Sequence, residues 1–163
     1  MIDYSIRDLK PTEFYLLSDF LYEAIFIPIG VQPPPRDIIN LPELQVYINK
    51  FGAQKSDMAL VAEVNSKIVG VVWVRIMDDY GHIDDNTPSF AISLLQEYRG
   101  LGIGTQLMIS MLSKLVKNGY KQASLAVQKK NYAVKMYQKV GFKIVDENSQ
   151  EYIMLCDLNN LPF

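Results

Sequence analysis

Three glycines alternate with apolar residues in the segment "RGLGIG", at Gly100, Gly102 and Gly104. An apolar run at 89–95 precedes this segment, and an amphipathic helical pattern at 103–118 follows it. A strand that turns into a helix through glycines leaves backbone N–H groups unpaired and uncovered, and the helix dipole adds about half a positive charge there. The chain must therefore place a strand–turn–helix junction past its midpoint, and this junction predicts a site for phosphate oxygens.

The glycine spacing differs from two common phosphate-binding motifs. A Walker A loop has four residues between its glycines and then Lys followed by Ser or Thr, whereas Thr105 and Gln106 follow Gly104 here. The dinucleotide fingerprint needs glycine or alanine three positions after Gly102, where this chain has Thr105. On spacing alone, a plain tight turn explains the glycines as well as a ligand site does.

Hydrophobic periodicity predicts strands and helices on both sides of the junction. Stretches rich in β-branched and alternating apolar residues predict strands at 2–8, 58–64, 68–77, 89–95, 122–127, 142–147 and 151–158. Apolar residues spaced three and four apart predict helices at 11–24, 42–51, 103–118 and 131–140. The segment 28–38, with prolines at 33–35, predicts a stiff connection between the first two helices.

This element order predicts one α+β domain over residues 1–163. The strands at 89–95 and 122–127 flank a crossover helix, so they should lie parallel. The remaining strands should pair antiparallel, and helices should cover both faces of the sheet. The predicted architecture therefore has three layers, α/β/α, and its middle layer is a mixed, mostly antiparallel sheet with one parallel β-α-β pair.

Charge and composition exclude several classes of protein. The 16 basic and 18 acidic side chains give a net charge of −2, which argues against a nucleic-acid-binding surface. Cys156 is the single cysteine, so an intrachain disulfide cannot form, and its apolar neighbours predict a buried thiol. The apolar stretch 20–31 is interrupted by Glu23 and Pro28, so it cannot span a bilayer. With a charged N-terminus, these features predict a cytoplasmic protein with no membrane, nucleic-acid or metal partner.

Two segments in order resemble one enzyme family. The pattern Arg99-x-x-Gly102-x-Gly104 closely resembles the pyrophosphate-binding motif of the GNAT superfamily of acetyl-CoA-dependent N-acetyltransferases, Arg/Gln-x-x-Gly-x-Gly/Ala. Downstream, "NYAVKMYQKVGF" (131–142) resembles that family's Asn…Ala-x-x-x-Tyr-x-x-x-Gly-Phe stretch. The resemblance covers residues 58–158 closely. It implies the GNAT fold, in which the parallel pair is splayed around acetyl-CoA.

The resemblance implies which residues bind the coenzyme. The backbone amides from Arg99 to Thr105 would wrap the pyrophosphate, which assigns Arg99, Gly100, Leu101, Gly102, Ile103, Gly104 and Thr105. Leu94 matches the residue whose backbone pairs with the pantetheine arm and whose N–H polarises the thioester carbonyl. Asn131 matches a residue that contacts the CoA arm, although Tyr132 alone separates it from Ala133 where the family pattern has two residues. An N-cap of the following helix explains Asn131 equally well.

Acetyl transfer from a thioester to an amine needs an acid and a base. Tyr137 matches the family's general acid, because a phenol with a pKa of about 10 stays protonated at neutral pH and can give its proton to the departing sulfur. Taken alone, Tyr137 also fits a core tyrosine, since it shares a helical face with Ala133 and Val140.

The base is not found where the family often has one, because the strands 89–95 and 122–127 carry no carboxylate. The candidates are His82, Asp84 and Asp85 in the acidic loop 78–88, with Glu23 from the first helix as an outside candidate. His82 has a suitable pKa range. A solvated histidine among turn-forming aspartates explains this loop too, and four aspartates within 78–85 would attract a cationic acceptor if they line the cleft.

The predicted function is acetyl transfer from acetyl-CoA to a primary amine by direct attack in a ternary complex. The amine belongs to a small molecule, a peptide N-terminus or a lysine, and the segment 25–40, with apolar Phe26, Ile27 and Ile29, matches the acceptor-side wall in the family. The alternative is a non-catalytic acyl-CoA-binding or sensing module of the same fold. A nucleotide-binding domain is a third candidate that the missing Walker lysine disfavours. A homodimer is common in similar proteins.

Overall fold

The computed structural model describes residues 2–163, which form a mixed sheet packed between helices. The strands are β1 (Ser5–Asp8), β2 (Met58–Val64), β3 (Lys67–Arg75), β4 (Ser89–Leu94), β5 (Gln122–Gln128), β6 (Phe142–Glu147) and β7 (Glu151–Asp157). The α-helices are α1 (Leu17–Ala24), α2 (Pro42–Gln45), α3 (Ile103–Lys117) and α4 (Ala133–Lys139). Among residues 2–163, none of the helices combines the length and apolar character needed to cross a bilayer.

The sheet has the order β1-β2-β3-β4-β5-β7-β6, and β4 and β5 are its parallel neighbours. These two strands pair at one position, Ser89 opposite Ser124, where the Ser124 N–H donates to the Pro88 carbonyl at 2.9 Å. Past that position β4 runs on to Leu94 and β5 to Gln128 without further pairing. The predicted mixed sheet with a splayed parallel pair is confirmed.

Two apolar cores lie on opposite faces of the sheet, because side chains alternate along each strand. On β3, Val72 and Val74 belong to the core under α3 and α4, whereas Val71 and Trp73 belong to the core under α1. The α3 stripe is buried almost completely and consists of Ile103, Leu107, Met108, Met111, Leu112 and Leu115. The predicted three-layer arrangement is therefore confirmed.

The predicted helix at 42–51 is wrong in length, since α2 ends at Gln45 and turns follow it. The competing contact comes from β3. The buried Arg75 guanidinium pairs with Asp57 and donates hydrogen bonds to the carbonyls of Val46 and Asn49, whereas in a helix that continued to 51 the Val46 carbonyl would accept from the Lys50 N–H. A 3-10 segment, Pro11–Leu16, likewise replaces the first part of the helix predicted at 11–24.

Candidate active site

A cavity of about 740 Å³ opens where β4 and β5 separate. The end of α1, the end of β4 and the beginnings of α3 and α4 line it. These elements bring together most of the predicted site residues, namely Leu94, Arg99, Gly100, Gly102, Gly104, Thr105, Asn131 and Tyr137. Leu101 and Ile103 do not line the cavity with their side chains, because the first is exposed and the second is buried in the core.

One end of the cavity is lined by backbone donors. Gly100 and Gly102 have φ values of +75° and +86°, a conformation that favours glycine, and a Cβ at either position would meet no atom within 4 Å. Gly102 is the N-cap of α3, and among the described residues no side chain caps this helix. Within residues 2–163, the N–H groups from Gly100 to Thr105 have no hydrogen-bond partner. An unpaired row of donors at the positive end of a 15-residue helix fits a diphosphate.

Arg99 departs from the prediction, because its N–H is already used. It donates to the Gln96 carbonyl at 3.2 Å, so the row of free donors begins at Gly100. The Arg99 side chain is also engaged by the protein, since Nε donates to the Leu94 carbonyl at 2.9 Å. Arg99 therefore lines the cavity without offering its N–H to a ligand.

The backbone of Leu94 faces the gap between β4 and β5. The Leu95 N–H donates to the Val69 carbonyl at 2.9 Å, so Leu95 directs its polar groups toward β3. Successive residues of a strand point their polar groups to opposite edges, so the N–H of Leu94 points toward β5. Because β5 has already diverged at this level, that N–H has no partner on β5, and Leu94 lines the cavity.

Tyr137 stands on α4 with its ring in the core. It is 8% exposed and packs edge-on against Phe142, with ring centroids 6.2 Å apart. Burial raises the pKa of the Tyr137 phenol above its usual value of about 10, because the low-dielectric surroundings disfavour the phenolate. Tyr137 is thus a core residue that also lines the cavity with a protonated hydroxyl, and its role as a general acid stays a prediction.

Asn131 caps α4. Its Oδ1 accepts a hydrogen bond from the Ala133 N–H at 2.9 Å, which satisfies a donor of the first turn. Asn131 also lines the cavity, so a contact with the CoA arm stays a prediction for its remaining amide group.

The acidic loop before β4 does not line the cavity. His82 Nδ1 lies 2.9 Å from the Met77 carbonyl oxygen, and its Nε2 lies 3.8 Å from Asp85. Asp84 accepts hydrogen bonds from Thr87 and from the Asn86 N–H, which lower the pKa of its carboxyl and make it a turn former. The structure therefore does not bring His82, Asp84 or Asp85 to Leu94 and Tyr137.

Glu23, at the end of α1, is the one carboxylate among the residues that line the cavity in the described chain. The sequence offered Glu23 as an outside candidate, and the distance along the chain between α1 and β4 hid their proximity. Its carboxylate Oε2 lies 3.4 Å from Arg99 Nη2, and its side chain is 37% exposed.

Phe26 and Ile27, which the sequence predicted as an apolar wall on the acceptor side, line the cavity, and the binding of an acceptor against them stays a prediction. The prediction for Ile29 is wrong, because its side chain is fully exposed at a turn outside the cavity. Pro33 and Pro34, which the sequence predicted both as part of a stiff connection and as part of the wall segment 25–40, line the cavity. The Tyr22 hydroxyl donates to the Pro34 carbonyl at 2.5 Å, which folds this segment back onto α1.

Comparisons with known proteins agree on one family. A family model described as an acetyltransferase (GNAT) domain matches residues 28–154. "Probable N-acetyltransferase san" of Drosophila melanogaster is 33% identical over 135 residues, covering 72% of this chain and 69% of that protein. "N-alpha-acetyltransferase 50" of Danio rerio is 32% identical over 98 residues, covering 59% of this chain and 57% of that protein.

A solved structure has the same fold. The paia N-acetyltransferase from Thermoplasma acidophilum, crystallised in complex with coenzyme A, superposes with a TM-score of 0.71 at 20% sequence identity, covering 96% of this chain and 99% of that chain. The matching family model and the relatives named as acetyltransferases define the class of this chain as an acyltransferase. The chain belongs to the GNAT acetyltransferase family.

Proposed function

We propose that this protein transfers an acetyl group from acetyl-CoA to a primary amine by direct attack in a ternary complex. One observation carries the proposal: a row of free backbone donors, the Leu94 N–H and the Tyr137 hydroxyl border one cavity at the gap between β4 and β5. The donors suit a diphosphate at one end, and the protonated phenol suits a leaving thiolate at the other. A crystallised neighbour that holds coenzyme A supports this assignment.

When bound, acetyl-CoA supplies an activated acyl group as a thioester. The Leu94 N–H would donate to the carbonyl oxygen, where negative charge develops as the amine nitrogen bonds to the acyl carbon. Tyr137 would give its proton to sulfur as the carbon–sulfur bond breaks, and would recover a proton from solvent. The proton lost by the amine needs an acceptor, and Glu23, the carboxylate that lines the cavity, would take it directly or through water.

The weak provision for a base favours an acceptor that loses its proton easily. At pH 7.5 a peptide α-amine, with a pKa of 7.7 to 8.0, is about one-third neutral, whereas a lysine side chain is about one part in a thousand neutral. Two of the curated relatives are named N-alpha-acetyltransferases. We therefore favour the α-amine of a peptide as acceptor over a lysine side chain, with a small-molecule amine as the other candidate.

A panel of named amines tests this function. Acetyl-CoA is offered to the protein with a set of short peptides that have free N-termini, with Nα-acetyl-lysine amide and with spermidine, and the free thiol is measured. We expect turnover with one or more peptides and a much lower kcat/KM for Nα-acetyl-lysine amide. Calorimetry with acetyl-CoA runs in parallel. Binding without turnover for any amine would indicate the sensing module, and no binding would refute the proposal.

A further inference from the structure

The Arg99 guanidinium joins the end of β4 to the end of α1. Nε donates to the Leu94 carbonyl at 2.9 Å, and Nη2 donates to the Glu23 carbonyl at 3.1 Å. Nη2 also approaches the Glu23 carboxylate at 3.4 Å. Arg99, Leu94 and Glu23 all line the cavity, so this bridge crosses the boundary between the acyl end and the acceptor wall.

Both acceptor carbonyls lie at the end of a secondary-structure element, where they have no hydrogen-bond partner within that element. Leu94 is the last residue of β4, on the edge that β5 has left. Glu23 lies in the last turn of α1, whose carbonyls have no donor within the helix. A guanidinium carries its donors in a rigid planar fork, so it fixes two acceptors relative to each other better than a flexible ammonium group would.

Building on the acetyltransferase function proposed above, we propose that the Arg99 guanidinium is a positioning group for the thioester carbonyl. It holds the end of β4 so that the Leu94 N–H is aimed into the cavity, and it holds Glu23 at the same opening. The N–H and C=O of Leu94 point to one strand edge, so a bond that orients the carbonyl also restrains the N–H. The arginine of the phosphate-loop motif thus acts on the acyl end of the coenzyme.

A contact with the diphosphate is the competing role, because guanidinium groups pair well with phosphate. Two observations oppose it. Nε and Nη2 already donate to oxygens of the protein. The Glu23 carboxylate also lies close enough to offset the positive charge that a diphosphate would attract.

The thioester carbonyl itself reports the effect. Isotope-edited infrared spectra of acetyl-CoA labelled with 13C at the acetyl carbonyl are recorded free and bound to the protein, and CoA affinity is measured by calorimetry. In the wild-type complex we expect the carbonyl band at a lower wavenumber than in an apolar solvent, because the Leu94 N–H polarises the bond. Arg99→Met should move the band back by about half or more of that shift, while CoA affinity changes by less than about threefold.

Two further variants serve as a control and as a conservative substitution. Arg36→Met removes an exposed arginine that pairs with Asp19 on α1, and it should leave the band unchanged. Arg99→Lys keeps the charge but not the fork, so its band should lie between those of wild type and Arg99→Met. Should Arg99→Met fail to fold, Arg99→Lys decides alone, and a wild-type band would overturn the proposal.

The remaining outcomes separate this proposal from the proposed function. An Arg99→Met complex with a wild-type band and CoA affinity lowered by about tenfold or more would show that the guanidinium binds the diphosphate. A wild-type band with unchanged affinity would show that it positions nothing. Failure of the wild-type protein to bind acetyl-CoA would overturn the proposed function and this inference together.

Discussion

At the scale of single residues, the three glycines of the segment 100–104 are present for two different reasons. Gly100 and Gly102 adopt positive φ values that turn the chain into α3. Gly104 has no such need, but a Cβ there would lie 3.1 Å from Leu94 Cδ1. On the other side, a Cβ at Gly70 of β3 would lie 2.5 Å from Leu94 Cδ2. The Leu94 side chain is therefore held between two glycines, and this packing helps fix the backbone that borders the cavity.

Replacing Tyr137 with phenylalanine tests the general acid at this scale. The ring packing against Phe142 is kept, so we expect the fold and CoA binding to be retained. Without the hydroxyl, kcat should fall about a hundredfold or more, because the thiolate must leave unprotonated. Steady-state thiol release and calorimetry provide the measurements. Tyr15→Phe, at an exposed tyrosine outside the cavity, is the matched control, and an unchanged kcat in Tyr137→Phe would refute the assignment.

At the scale of elements, the two ends of α3 differ in how far their backbone groups are hydrogen-bonded. The C-terminal end is closed by hydrogen bonds, since the Tyr120 N–H donates to the Leu115 carbonyl and Asn118 Nδ2 donates to the Lys114 carbonyl. The N-terminal end has no side-chain cap among the described residues. A long helix that is closed at one end and open at the other leaves its positive pole free for an anion.

This asymmetry gives a controlled glycine experiment. Gly102 and Gly119 stand at opposite ends of α3 with φ values of +86° and +84°, and neither has an atom within 4 Å of a Cβ. Valine at either position should cost about 1 to 2 kcal/mol of folding stability through the same backbone strain. Gly102→Val should also lower CoA affinity by about tenfold or more, whereas Gly119→Val should not. Thermal melts and calorimetry measure both effects, and equal CoA affinities would contradict a ligand site at Gly102.

Elements with strong local patterns are the ones that the sequence predicts well. The strands at 58–64 and 142–147 match β2 and β6 at both ends, because apolar and β-branched residues bounded by turn residues define them locally. The helix predicted at 42–51 is too long because the Arg75 guanidinium, more than twenty residues away along the chain, donates hydrogen bonds to the carbonyls of Val46 and Asn49. Local propensity cannot include a hydrogen bond that tertiary packing creates.

At the scale of the whole molecule, the site combines parts that the chain separates widely. The motif resemblance predicted Leu94, from the strand before the glycine segment, and Tyr137, from the second matched segment, and both residues line the cavity. It could not place Glu23, since contact between α1 and β4 depends on how the helix layer sits on the sheet. It could not exclude His82 either, because the loop packs beside β5 through the bond from Ser124 to the Gly81 carbonyl.

Buried charge in that loop makes folding stability depend on pH. Burial raises the pKa of the Asp79 carboxyl, while hydrogen bonds from Tyr47 and Ser89 act in the opposite direction. The folded state therefore holds the Asp79 proton more tightly than the unfolded state, so stability falls as pH rises through the folded-state pKa. Above the folded-state pKa the carboxyl is ionised in both states, and the burial of the ionised form lowers the free energy of unfolding.

Asp79→Asn removes the charge and keeps one of the two oxygens that accept from Tyr47 and Ser89, and the hydroxyl that then faces the new NH2 group can accept a hydrogen bond from it. We expect a higher Tm than wild type at pH 7 and a smaller gain at pH 4, where the wild-type carboxyl is closer to protonation. Asp85→Asn, at a nearly fully exposed aspartate of the same loop, should shift Tm little at either pH. A lower Tm for Asp79→Asn at pH 7 would show that the carboxylate contributes to the fold.

The pairing of Ser89 with Ser124 is the one position that joins two parts of the sheet, β1 to β4 and β5 to β7. Their facing edges carry amide groups that cannot reach each other across the slot. An extended ligand with amide groups along its length would form the hydrogen bonds that these two strand edges do not form with each other. The protein thus leaves these two strands unpaired over most of their length, and we expect the gap to bind an extended ligand that has amide groups.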